Sequence, residues 1–460
     1  MVEMALHELR ERMDGTILQG SPDLRFRRYN IDSRTTQPGE LFFAIQAERN
    51  GHEFVLEAVR QGAGGAVISL RVSPPGPETA LVQVNDTLEA LQKLAGSVAS
   101  TLRPRVVGIT GSVGKTTTKE FTARLLANSY SVLKSEGNFN NHLGLPLSLL
   151  QLEEHHDVAV LEYGMSTPGE IAALTRIVPP DIALITNVRP VHLEFFPDIR
   201  GISRAKQELL DGAAPGGVAV LNRDDPLVAE MAAAWRGETV FFGLSDACTV
   251  RALNIRPRGW DGVSFDLAFG SETRPAALPF FNRGQLYNFL GAAAVARVLG
   301  VPLEEVAAAA SRFKAFDKRG RSYRLDRDIR LIDDSYNSNP SALEEALKAL
   351  AGLPGGRKLA VLGDMLELGH TEADFHAEAG ELASSLKIDL LVLVGPLTLH
   401  TAEAAAGAGM DPERILVFTD STAAAEALPS LLEARDVILV KGSRGMRMEA
   451  IVQKLLREKG

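Results

Sequence analysis

The sequence predicts an α/β protein of three domains, and three observations carry that expectation. Short apolar runs alternate with Ala- and Leu-rich helical stretches, an interleaving that produces parallel sheets covered on both faces. The alternation begins twice, near residue 105 and again near residue 322, so two such sheets are expected. A chain of 460 residues also exceeds what one hydrophobic core organises, and about three domains is the natural division.

Residues 1–104 form the first expected unit, a smaller α/β domain. It opens on MVEMALHELRERMDG, an amphipathic helix pattern without the apolar run of a signal peptide. LFFAI and GAVISL read as short strands, and the Pro-rich SPPGP and RPR lie near the end of the unit. Residues 105–320 hold RVVGIT, DVAVLEYG, DIALITNV and GVAVLNR as successive buried strands, then a strand-rich interlude near 247–280 and a helix near 287–300. Residues 321–460 repeat the alternation with IRLIDDS, RKLAVLGD, IDLLVLVG, RILVFTD and DVILVKGS, each followed by a helical stretch.

Composition narrows the function classes. Hydrophobic residues at 45% and charged residues at 23% describe an ordinary globular protein. A net charge of −9 with no block of Lys or Arg argues against a nucleic-acid partner, so an anionic substrate must be held by local basic groups. No apolar run is long enough to span a membrane, and a cytoplasmic location is expected. The single Cys248 rules out an internal disulfide framework and any multi-cysteine metal site; it reads as a small apolar residue in a strand.

One stretch carries chemistry on its own. From Val106 to Glu120 the chain reads as a buried strand, a glycine turn and the first turns of a helix. Gly111 and Gly114 let the backbone N–H groups of Gly111, Ser112, Val113, Gly114, Lys115, Thr116 and Thr117 close on phosphate oxygens at the positive end of the helix. Lys115 reaches terminal phosphates, and the Thr116 hydroxyl is placed for Mg²⁺. The usual G-x-x-x-x-G-K-[ST] spacing is broken, because Ile109 stands five before Gly114. The shorter T-G-S-V-G-K-T cradle still predicts a bound nucleoside triphosphate.

Ligands of open parallel sheets sit beyond the carboxyl ends of the strands. Polar residues stand there four times: Glu162 after VAVL, His192 beyond ALITNV, Asp333 and Asp334 after RLI, and Lys441 after VILV. Glu162, ending a buried strand, is the natural carboxylate for Mg²⁺, in the part a Walker-B acid plays elsewhere.

With the phosphate loop, GNFNNHLGLPLSLL (137–150), VLEYGMSTPGEI (160–171), ITNVRPVHLEFF (185–196) and ISRAKQELL (202–210) resemble the central domain of the Mur ligases, ATP-dependent amide-bond synthetases of peptidoglycan precursor assembly. LIDDSYNSNPSAL (331–343), VLGDMLELG (361–369) and LVKGSRGMRME (439–449) resemble the branch that adds D-alanyl-D-alanine to a UDP-N-acetylmuramoyl-tripeptide. DSRTTQPGELFFAIQAERNGHEFVLEAVRQGA (32–63) resembles its UDP-binding domain, so the likeness runs from about residue 30 to 450. The resemblance implies a central sheet of P-loop ATPase type, a Rossmann-like C-terminal domain, ATP and Mg²⁺ as cofactors, those two substrates, and a monomer.

It also implies roles. His192 helps hold a second Mg²⁺, and Lys206 is carbamylated by CO₂, which turns a cation into an anionic ligand for that metal. Such a reaction needs a neutral amine, so desolvation must lower the lysine's pKa. Asn138, Asn141 and His142 offer neutral donors to the incoming carboxylate or phosphate. Asn288 meets adenine, while Arg321 and Asp334 engage ATP across the domain junction. Ser33 and Arg34 take the uridine diphosphate end; Lys441, Ser443 and Arg444 lie near the incoming substrates.

Three departures from the family pattern stand out. Arg189-Pro190 replaces a glycine after ITNV, Gly284-Gln285 replaces a His-Asn pair, and Ala47 and Asn50 replace a glycine and an aspartate. None removes a group that carries the chemistry. Two other functions remain open at this point, a nucleotide-dependent switch or motor and another Mur or folylpolyglutamate-type ligase. Whether lysine or diaminopimelate occupies the third position of the tripeptide is not written in the chain.

Overall fold

Parallel strands dominate the three main sheets, each built from its own stretch of sequence. A computed structural model describes residues 2–73, 76–191 and 193–457. The first sheet orders Thr16–Gln19, Ala80–Gln83, Gly65–Ile68, Leu41–Phe43 and Tyr29–Asn30, all parallel except the first. The expected N-terminal helix is Leu6–Arg12, which buries Leu6 and Leu9.

The central sheet has nine strands. Val132–Lys134, Val158–Glu162, Arg105–Thr110, Ile182–Ile185, Val218–Asn222 and Glu238–Gly243 lie side by side in that order, all parallel. Their apolar runs are continuous because helices cover both faces. Val250–Pro257 joins in parallel and Val263–Phe269 and Glu272–Leu278 extend the sheet antiparallel, which accounts for the strand-rich interlude. Cys248 lies in the turn before that extension, buried, rather than in a strand.

Strand order decides where a ligand can go. From Arg105–Thr110 the chain moves to the edge strand Val132–Lys134, returns to Val158–Glu162, and then crosses to Ile182–Ile185 on the other side. The connections after the two adjacent strands Arg105–Thr110 and Val158–Glu162 therefore leave in opposite directions and open a crevice at their carboxyl ends. The phosphate loop and Glu162 border that crevice from its two sides.

The third sheet orders Arg321–Arg324, Arg330–Asp334, Val437–Lys441, Lys358–Gly363, Leu390–Val394 and Ile415–Phe418, with only the first strand antiparallel. Asp334 and Lys441 are paired in register at the ends of neighbouring strands. The central and C-terminal domains touch. Trp260 Nε1–H donates to the Pro354 carbonyl at 2.9 Å, and Lys318 Nζ meets Glu449 at 2.9 Å. Among the described residues, no helix is long and apolar enough to cross a membrane.

Phe121 locks the phosphate-loop helix, Lys115–Leu126, onto this frame. Its ring lies 4.4 Å from Phe313, 5.6 Å from Phe280 and 5.9 Å from Phe316, and it has no exposed surface. Replacing Phe121 with alanine removes that cluster's centre and leaves a cavity, so about 3–5 kcal/mol of stability is lost. A fall in the first thermal unfolding transition tests this; a melting profile equal to the parent's refutes it.

Candidate active site

Backbone geometry makes the phosphate loop. Gly111 has φ +145° and Gly114 φ +89°, a region that L side chains rarely adopt. Space forbids a side chain as well: a Cβ on Gly111 would lie 1.9 Å from Thr186 Oγ1, and one on Gly114 would lie 2.1 Å from Asn288 Oδ1. The neighbouring strand end pins the loop, since Ser112 N–H donates to the Asn187 carbonyl and Val113 N–H to its side-chain oxygen, both at 2.9 Å. Lys115 folds back to donate to the Gly111 carbonyl at 2.8 Å. Burial lowers the Lys115 pKa; the Glu162 charge opposes this and the Arg319 charge adds to it.

Glu162 is held between two partners. Thr116 Oγ1 donates to one carboxylate oxygen at 2.9 Å, and Asn140 Nδ2 donates to the other at 2.8 Å. A hydroxyl beside a carboxylate is a hard-oxygen pair suited to Mg²⁺, which needs only one or two protein carboxylates when phosphates complete its shell. Among the described residues no group of three or more His, Cys, Asp or Glu is placed to hold a metal. Asn140 was not singled out from the sequence, because three asparagines in one loop look alike until the loop is folded.

Lys206 sits on the helix Ile199–Asp211, on its buried face. Its pKa falls well below the ordinary lysine value, first through burial and then through the Lys115 charge. Among the described residues no carboxylate pairs with it. His192 lies outside the described residues.

The phosphate loop, Glu162 and Asn140 border a cleft of ≈ 1190 Å³, which Lys206 does not line. Ser112, Val113, Gly114, Lys115, Thr116 and Thr117 line it, with Glu162, Asn138, Asn141 and His142 beside them. Asn141 also caps the following helix, its side-chain oxygen accepting from Gly144 N–H at 2.9 Å. Asn288, packed against Gly114 of the loop, lines the cleft together with Tyr287 and Asp224, which share a 2.9 Å hydrogen bond. Burial and that carboxylate push the Tyr287 phenol up to about 12. Gly284 and Gln285 reach the same wall. From the C-terminal domain come Asp334 and Lys441, whose ammonium donates to Asp334 at 2.5 Å and to the Asn337 carbonyl at 3.0 Å.

Several other expected residues do not line the cleft. Arg321 begins an edge strand, is paired with Asp317 and stays out of the cleft. Arg319 faces the cleft instead, donating to Thr116 Oγ1 at 3.3 Å with its guanidinium 4.0 Å from the Tyr336 ring centre. Gly320, at φ +77°, turns the chain between Arg319 and the strand that Arg321 begins, and the string KRGR cannot say which arginine turns inward. Ser443 is buried and accepts from Leu366 N–H at 2.9 Å. Arg444 reaches the Tyr336 hydroxyl at 3.0 Å, so both support the cleft's rim without lining it. Ser33 and Arg34 belong to the N-terminal sheet's surroundings. Ser33 donates to Glu57 at 3.0 Å, and exposed Arg34 forks onto Asp32 at 2.7 and 2.9 Å. Both are separate from the cleft.

Comparison with known proteins agrees with this geometry. Residues 109–296 match the Mur ligase middle domain, and residues 319–444 match the Mur ligase glutamate ligase domain. The chain is 33% identical over 459 residues to the UDP-N-acetylmuramoyl-tripeptide–D-alanyl-D-alanine ligase of Bacillus subtilis, covering 99% of both. It is 34% identical over 464 residues to the Escherichia coli ligase of that name, again covering 99% of both. Among solved structures, MurF from Acinetobacter baumannii superposes with a TM-score of 0.91 at 29% identity, covering 99% of each chain. MurF from Thermotoga maritima in complex with ADP gives 0.82 at 31% identity, covering 94% of this chain and 97% of that one.

The contrast between the two arginines is testable. Arg319→Ala removes a charged donor beside Thr116, and losing such a bond costs roughly 1.5–3 kcal/mol, about ten-fold or more in ATP affinity. Arg321→Ala leaves ATP affinity within about two-fold, as for most surface changes. Calorimetric titration of both variants checks this. A larger loss for Arg321→Ala would return that residue to the site.

Proposed function

The chain belongs to the Mur ligase family, and we propose that it joins D-alanyl-D-alanine to a UDP-N-acetylmuramoyl-tripeptide, with ATP converted to ADP and phosphate. The observation that carries this reading is a single cleft lined from two domains, the phosphate loop with Glu162 on one side and Asp334 with Lys441 on the other. Full-length identity to ligases of that name favours this acceptor over a folate-type one.

A carboxylate and an amine do not condense in water, so the carboxylate must first be activated. The terminal carboxylate of the tripeptide attacks the γ-phosphorus of ATP, ADP leaves, and an acyl phosphate forms. The amine of D-alanyl-D-alanine attacks the acyl carbon and loses a proton, and phosphate departs as the amide forms. Several anionic oxygens meet in the first step, and fixed positive charge lowers its barrier. Lys115 and the N–H groups of the loop supply that charge. Thr116 and Glu162 would hold Mg²⁺, which neutralises phosphate charge when bound.

The remaining assignments follow the same logic. Asn138, Asn141 and His142 offer neutral donors to the activated carboxylate. Asn288 serves adenine, and Asp334 meets ATP from the C-terminal side. Residues 1–104 hold the uridine diphosphate end through Ser33 and Arg34, residues 105–320 the ATP, and residues 321–460 the dipeptide, near Lys441, Ser443 and Arg444. Lys206, whose pKa burial lowers, would add CO₂ as the free amine and release a proton to become a carbamate, which with His192 would hold a second Mg²⁺. The protein acts as a monomer in this reading. The reaction belongs in the cytoplasm, and its product is the pentapeptide precursor of peptidoglycan.

ADP release that requires both the tripeptide precursor and D-alanyl-D-alanine tests the reading. A switch or motor would release ADP with neither. Lys115→Ala should slow ligation by roughly 10²–10³-fold while the fold is kept; near-normal turnover by well-folded protein would sink the loop assignment. Lys206→Ala should be nearly inactive and partly rescued by acetate, a free carboxylate in place of the carbamate. Full activity without acetate would make Lys206 an ordinary buried lysine.

A further inference from the structure

The helix that carries Lys115 buries a second lysine one turn on. Lys119 has no exposed surface, yet its ammonium has partners. It donates to the Ser135 carbonyl at 2.6 Å and the Gly137 carbonyl at 3.0 Å, and lies 3.3 Å from the Glu120 carboxylate. Two N–H groups thus meet carbonyls, and the charge has a carboxylate beside it. Glu120 in turn pairs with Lys134, at the end of the edge strand Val132–Lys134. A methionine would fill the same space with no charge to desolvate, so packing alone does not account for an ammonium here.

What the ammonium grips is the start of the loop that enters the cleft. Ser135 is buried, and its Oγ accepts from Glu162 N–H at 3.1 Å. Gly137 stands at φ +49°, where the chain turns towards Asn138 and Asn140. Asn140 closes the circuit: its carbonyl accepts from Gly164 N–H at 2.7 Å while its amide donates to the Glu162 carboxylate. Glu162 is therefore set from two points of one loop, its backbone by Ser135 and its carboxylate by Asn140.

We propose that Lys119 is a positioning residue for the Thr116–Glu162 pair, acting through Ser135 and the loop that ends on Asn140. It touches neither nucleotide nor metal; it fixes the loop from which both Glu162 contacts come. The proposal rests on reading that pair as the holder of Mg²⁺ with ATP. Supports of this kind around metal ligands typically change metal affinity or activity by about 10–100-fold.

Two variants of the full chain test it with two readouts. In ligand-free protein, Lys119→Met should accelerate amide hydrogen exchange across residues 135–142 and leave the strand Arg105–Thr110 unchanged. In turnover, its half-saturating Mg²⁺ concentration should rise by about ten-fold while the KM for D-alanyl-D-alanine holds. Ser135→Ala removes only the acceptor for Glu162 N–H. It should raise the Mg²⁺ requirement without loosening residues 136–142, and it tests the relay should Lys119→Met fail to fold. Unchanged Mg²⁺ dependence in Ser135→Ala, or unchanged loop exchange in folded Lys119→Met, overturns the proposal. A loss of activity that tracks only the folded fraction does the same. If the parent enzyme releases no ADP with both substrates, the functional reading fails, while the exchange measurement still judges the loop clamp.

Discussion

Everything in the central domain converges on holding one carboxylate still. Glu162 ends a strand buried on both faces, where an unpaired charge would be costly, and two neutral donors take one oxygen each. Those donors come from different directions in the sequence, Thr116 from the helix after the first strand and Asn140 from the loop after the edge strand. They meet only because the strand order places Arg105–Thr110 and the edge strand on opposite sides of Val158–Glu162. The parallel sheet is thus the means by which a hydroxyl, an amide and a carboxylate reach hydrogen-bond distance.

In the same domain the chain places three lysines out of full solvent, Lys115 half-buried and Lys119 and Lys206 buried, despite its net charge of −9. Lys115, Lys119 and Lys206 differ in what they meet. Lys119 donates to two carbonyls beside a carboxylate, so its charge is spent on holding structure. Lys115 is bound to carbonyls of its own loop and sits within the field of Glu162, so its charge can be redirected to an incoming anion. Lys206 is buried with the Lys115 cation nearby and no described carboxylate in contact, which favours its neutral form. One residue type thus serves three ends, and its partners decide which.

Much of this was legible in the sequence, and what was not has physical causes. The parallel strands were readable because burial on both faces demands unbroken apolar runs such as VVGIT and ILVK. The loop was readable because only glycine tolerates the angles and the close approaches of Thr186 and Asn288. Arg319 and Arg321 were confused because their difference is orientation in a turn, which composition does not encode. Asn140 stood unnoticed between Asn138 and Asn141 for the same reason. Lys119 carries no signal in the sequence, because only the fold brings the loop after the edge strand onto its ammonium. Strands and glycines report local constraints; the choice among similar polar residues is made by tertiary packing.

The junction between the central and C-terminal domains joins these threads. Arg319 lies in the connection between them, its guanidinium touching Thr116 on one side and stacking on Tyr336 on the other. Tyr336 also takes a hydrogen bond from Arg444, at the C-terminal strand ends. A chain of contacts therefore runs from the carboxylate pair in the central domain to the rim of the C-terminal one. Arg319 thereby bridges Thr116 and the C-terminal sheet with one guanidinium. In the proposed reaction an acyl phosphate must be kept from water until the amine arrives, and a cleft lined from both domains suits that exclusion. Routing the contact between the domains through an arginine that also touches the Thr116 hydroxyl sets their junction beside the phosphate loop.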